Sequence, residues 1–89
     1  MSGEIRREIV IKNEEGLHAR PASTLVSAIQ GLDCEVFLSN PTGEEVDAKS
    51  ILGILMLAAE RGSKLGVRAA GPDAQKAVDA IFRILGESP

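Results

Sequence analysis

The chain has 89 residues, a length that supports one small domain with an economical core. A formal net charge of −3, no Trp or Tyr, and only Phe37 and Phe82 exclude a general electrostatic pull toward nucleic acid or acidic membranes, and argue against stacking on bases. The single Cys34 excludes an intramolecular disulfide framework. No apolar run is long enough to span a bilayer, and residues 1–12 carry acids and lack a secretion-signal cleavage site, so a cytoplasmic location is expected.

Taken in chain order, Ile5, Ile9 and Ile11 share one parity and predict a first strand. Polar residues from Asn13 to Gly16 break it with a turn. Ala22, Leu25, Val26 and Ile29 then fall on one helical stripe over about residues 19–30, which Gly31 ends. Cys34, Val36 and Leu38 alternate as a second strand, and Asn40-Pro41-Thr42-Gly43 turns into a short third strand through Glu45, Val46 and Ala48. Ser50 is expected to cap a second helix running to near Glu60–Gly62. Leu65, Val67 and Ala69 are the inward side of a fourth strand. Gly71-Pro72-Asp73 leads into a last helix to about Gly86, with Asp73 as its expected cap and Ala74, Ala77, Val78, Ile81, Ile84 and Leu85 on its apolar stripe. The order β-α-β-β-α-β-α predicts an α+β, open-faced two-layer sandwich: one domain over residues 1–89, a four-stranded antiparallel sheet with three helices on one face.

The chemistry concentrates in Gly16-Leu17-His18-Ala19-Arg20-Pro21. If His18 is the helix N-cap, Pro21 sits where a missing N–H is tolerated, and the free N–H groups and helix dipole create a place for an anion. Arg20 supplies a guanidinium fork of the kind that grips phosphate. A neutral imidazole nitrogen is a nucleophile near neutral pH, and its phosphoryl adduct is reactive enough to be passed on. On these residues alone, an exposed capping histidine without chemistry stays open as the simpler alternative. Other enzyme classes fit less well. Ser23, Ser27 and Ser50 lack nucleophile-elbow spacing, one His and one Cys supply too few zinc ligands, and no Gly-rich nucleotide loop is present. No cofactor or metal is expected.

After Ser50 the run ILGILMLAA has no polar side chain. Ile54, Leu57 and Ala58 are its better core candidates, while Ile51, Leu52, Leu55 and Met56 cover much of the other side and predict an exposed apolar patch, with a deeper core or a dimer contact as the alternative. Cys34 is expected to be a small core residue, and Lys49, Arg61, Lys64 and Arg68 ordinary solvated charges.

GLHARPA (16–22), DAKSILGI (47–54) and GPDAQKAV (71–78) together resemble the HPr family of phosphocarrier proteins of the bacterial phosphoenolpyruvate-dependent phosphotransferase system, over nearly the whole chain. The resemblance implies that His18 accepts a phosphoryl group on Nδ1 from enzyme I, that Arg20 orients the phosphate, that Pro21 shapes the helix start, and that the group passes to an enzyme IIA domain. It implies a docking surface of Leu17, Ile51, Leu52, Leu55 and Met56 alongside Arg20, and makes Ser50 a candidate for regulatory phosphorylation by an HPr kinase/phosphorylase, although some members keep this serine without that regulation. The phosphoryl group on His18, and on Ser50 where modified, is the covalent group implied. The chain is then a phosphoryl-transfer intermediate rather than an independent enzyme, a monomer in the cytoplasm that binds neither nucleic acid nor membrane. Support of sugar uptake is the main expectation. A regulatory carrier of the nitrogen-related branch, which GLDCEVFLSN and the IxxLMxLAAERG pattern resemble, is the alternative, and a phosphate-independent docking module is more distant.

Overall fold

A computed structural model describes residues 3–89. Its elements are β1 (Glu4–Ile11), α1 (Ala19–Ile29), β2 (Glu35–Ser39), β3 (Glu45–Asp47), α2 (Ile51–Leu57), β4 (Lys64–Ala70), α3 (Ala74–Leu85) and β5 (Gly86–Glu87). The strands form one antiparallel sheet in the order β3-β2-β4-β1-β5. The open-faced α+β sandwich is therefore present, with five strands where four were expected. Strand β5 is two residues long and pairs Ile11 with Gly86 and Val10 with Glu87. The chain leaving α3 continues along the free edge of β1, and the Lys12 N–H donates to Leu85 O at 2.8 Å where the two meet.

One face of the sheet carries the apolar parity. Ile9, Ile11, Val36, Leu38, Leu65, Val67 and Ala69 are buried against Ala22, Leu25 and Ile29 of α1, Ile54 of α2, and Ala77, Ile81 and Leu85 of α3. Among the described residues no charged or polar residue is buried in this core. The β2–β3 hairpin closes through the expected turn, where the Gly43 N–H donates to Asn40 O at 3.0 Å and Gly43 takes a positive φ.

Three local expectations are corrected. Helix α2 stops at Leu57 rather than near Glu60, because Ala58 adopts a left-handed conformation with φ 49°. Ala58 is consequently exposed instead of in the core. Asp73 makes no side-chain cap; its carboxylate accepts the Asp33 N–H at 2.8 Å while its own N–H donates to Asp33 O at 3.0 Å, tying the α1–β2 connection to the start of α3. The cross-link brings Gly71 to within 2.9 Å of Asp33 O, measured from where a Cβ would lie, at a φ of +125° that also favours glycine.

Of the charges expected to be merely solvated, Arg61 and Lys64 are exposed, whereas Arg68 and Lys49 are engaged. On the outer face of the sheet Arg68 stacks over the Phe37 ring, 4.3 Å from its centroid. It donates two hydrogen bonds to the Glu45 carboxylate, at 2.7 and 3.0 Å, and one to Glu4 at 3.2 Å. These contacts raise the Arg68 pKa, with Glu45 the larger influence; the guanidiniums of Arg6 and Arg68 lower that of Glu4, and Arg68 lowers that of Glu45. Arg6 and Arg68 face each other across the β1–β4 pair, and the Glu4 carboxylate bridges them, accepting from Arg6 at 2.6 Å on its other oxygen. The Lys49 ammonium is also engaged, donating to Leu32 O at 2.6 Å. Among the described residues no helix is long and apolar enough to cross a membrane.

Candidate functional site

His18 is the N-cap of α1, with extended φ −85° and ψ −177°. Its carbonyl accepts the first intrahelical bond, from the Ala22 N–H at 3.0 Å. Its side chain makes no capping bond and is exposed. Ala19, Arg20 and Pro21 are the first three helical residues. A cap side chain ordinarily bonds the N–H of the second or third helical residue, and here the third is Pro21, which has none. The helix start therefore offers the N–H groups of Ala19 and Arg20 next to an uncommitted imidazole, within the positive end of the helix dipole. Arg20 is exposed beside them, and Pro21 is buried and anchors the turn to the core.

The loop ahead of His18 is held in place by backbone contacts. Gly16 has φ +64°, and a Cβ there would come within 2.6 Å of Ala59 O. Only glycine fits both the angle and the approach. Leu17 N–H donates to the same Ala59 O at 2.9 Å. This contact gives the left-handed turn at Ala58 its purpose: by ending α2 early, it brings the backbone of Ala59 alongside the loop that carries the histidine. Asn13, read from sequence only as part of a turn, donates through Nδ2 to Gly16 O, and Gly16 N–H donates back to Asn13 O at 3.1 Å.

Between His18 and the end of α2 lies an open depression of ≈ 340 Å³ lined by Leu17, Leu55, Ala58, Ala59 and Glu60 together with His18 and Ala19. A larger hollow of ≈ 420 Å³ lies elsewhere, at Asp33, Cys34, Glu35 and Lys49, and contains none of the expected phosphate-handling residues. Cys34 is half-buried there, and burial pushes its thiol pKa up, away from reactive thiolate character.

The expected docking residues divide by depth. Leu52 is 69% exposed, Met56 73% and Ile51 41%, forming an apolar patch on α2. Leu55 is partly buried and lines the depression. Leu17, at 2% exposure, turns inward into the core beside His18 and supports the loop from beneath, at the floor of the depression. Ser50 caps α2, its Oγ accepting the Gly53 N–H at 3.0 Å.

The family model for the PTS HPr component phosphorylation site matches residues 5–87. Phosphocarrier protein NPr of Escherichia coli K12 is 38% identical over 80 residues, covering 90% of this chain and 89% of that protein. Phosphocarrier protein HPr of Cupriavidus necator is 40% identical over 81 residues, covering 91% and 90%. The crystal structure of phosphocarrier protein HPr from Bacillus anthracis superposes with a TM-score of 0.87 at 30% identity, covering 93% of this chain and 98% of that one. An uncapped histidine at a helix start on an open-faced sandwich, matched over almost its full length by these relatives, places the chain in the HPr family of phosphocarrier proteins of the phosphoenolpyruvate-dependent phosphotransferase system. It is an HPr/NPr-type carrier that passes a phosphoryl group held covalently on histidine.

Proposed function

We propose that His18 is the phosphoacceptor, charged on Nδ1 by enzyme I and discharged to an enzyme IIA domain, and that the chain serves the nitrogen-related branch rather than sugar uptake. The observation that supports the first part is the uncommitted, exposed imidazole at the start of α1. Transfer is a displacement: the Nδ1 lone pair forms a bond to phosphorus as the bond to the donor breaks, the leaving electron pair stays on the donor, and the ring proton remains on Nε2. The phosphoryl oxygens then lie where the Ala19 and Arg20 N–H groups and the Arg20 guanidinium can receive them. Because the carrier must give the group up again, these donors hold it without burying it. The exposed patch of Ile51, Leu52 and Met56, with Leu55 at its inner margin, is the docking surface for both partners.

Support for the nitrogen-related branch comes from the proteins named NPr at 38–40% identity over nearly the full chain. The HPr of Cupriavidus necator reaches 40%, so partner choice is the discriminating measurement. Chain charged with enzyme I and phosphoenolpyruvate is offered to a nitrogen-type and a sugar-type IIA in parallel. Faster discharge to the nitrogen-type acceptor is the expected result, and faster discharge to the sugar-type acceptor would overturn the assignment.

Ser50 has a structural use in its cap. A phosphoryl group there would add a dianion at the start of α2, next to the docking patch, and would repel an acidic partner surface.

A further inference from the structure

The peptide unit joining Gly16 to Leu17, one residue ahead of His18, is gripped at both poles. Its oxygen accepts from Asn13 Nδ2, and its N–H donates to Ala59 O at 2.9 Å. A peptide that follows glycine is the one in this loop freest to rotate, since glycine imposes the weakest limits on its own dihedrals. The Ala59 bond alone leaves it a hinge; the Asn13 amide removes that freedom. The other end of the same amide is treated differently. Asn13 Oδ1 is buried and has no hydrogen-bond donor among the described residues. Burying this oxygen carries a desolvation cost, whereas the other end of the amide makes a short bond to the loop. What Asn13 contributes is its N–H, directed at the loop that carries the histidine.

We propose that Asn13 is a positioning residue for phosphoryl transfer: by locking the Gly16–Leu17 peptide it fixes the direction in which the His18 imidazole leaves the backbone, so that Nδ1 meets the incoming phosphorus with the Ala19 and Arg20 N–H groups already aligned on its oxygens. The inference rests on His18 as phosphoacceptor. Small errors of alignment in such a displacement act on the rate of the chemical step more than on association.

Asn13→Asp preserves shape but turns the donor into an acceptor facing Gly16 O; Asn13→Ala removes it. With the full chain, enzyme I and phosphoenolpyruvate, both variants are expected to stay folded and to lose about tenfold or more in kcat, with KM changed by less than about twofold. The Leu17 amide is expected to exchange its hydrogen faster in both. A folded Asn13→Asp with unchanged kcat, or with a loss confined to KM, overturns the proposal. So does failure of both variants to fold, because the amide then serves the fold itself. A wild-type control that takes no phosphoryl group removes the phosphoacceptor reading, and this inference with it; a control that turns over beside unaffected variants removes the inference alone.

Discussion

Two helices of this molecule begin with an extended cap residue and opposite side-chain chemistry. At the start of α2, Ser50 accepts the N–H of Gly53, the third helical residue, and its carbonyl accepts from Ile54 at 3.0 Å. At the start of α1, His18 makes the equivalent carbonyl bond to Ala22, yet its side chain caps nothing and the third helical residue is a proline. One start spends its donors on stability. The other leaves the N–H groups of its first two residues uncapped by the His18 side chain. A helix start that caps itself fully has little left with which to receive an anion, so an incomplete cap beside a nucleophile is a physical mark of function.

That contrast can be broken by experiment. After loss of the histidine itself and of the Asn13 amide, the largest expected effect lies on the docking patch, where Leu52→Glu should slow transfer from enzyme I by about tenfold while leaving the fold intact, because Leu52 is 69% exposed. Loss of the fold instead would show that the patch is core or a contact between copies. Ser50→Ala should lower stability by about 1 kcal/mol with transfer to His18 nearly unchanged, measured by denaturant unfolding alongside the phosphorylation rate. The smallest effect separates the two helix starts most finely. His18→Ser introduces a good cap residue, but with Pro21 at the third position it can bond only the Arg20 N–H, and a gain below about 0.5 kcal/mol is expected. A gain as large as the Ser50→Ala loss would mean that Pro21 does not limit capping at α1.

Much of this was legible in the sequence, for reasons that differ by element. The α1 stripe of Ala22, Leu25 and Ile29, the alternation in β2 and β4, and the caps at His18 and Ser50 are local patterns, and each lies where local physics dictates. What escaped depends on a second segment. Gly62 suggested a late end for α2, but the need to bring Ala59 O to Leu17 N–H ends it at Leu57 through a left-handed alanine, which no propensity favours. Asp73 looked like a cap because its local sequence allows one; the Asp33 N–H, 40 residues away, takes its carboxylate instead. Strand β5 has no pattern of its own and exists because β1 has an open edge. Arg68 reads as a solvated charge until the sheet register sets it over Phe37 and between Glu45 and Glu4. Within the site, His18, Arg20 and Pro21 were visible from type and spacing, whereas Asn13 was not, since its hydrogen bond is defined only once the loop has closed. Its one advance sign is an amide three residues before a glycine that must turn.

The central claim is that the uncapped imidazole at the start of α1 carries the phosphoryl group. Incubation of the wild type and His18→Ala with phosphoenolpyruvate and a cognate enzyme I, followed by intact-mass measurement at neutral pH, tests it directly. A single acid-labile phosphoryl adduct on the wild type and none on His18→Ala is the predicted result. An adduct that persists in His18→Ala, or a wild type that stays unmodified, would contradict it.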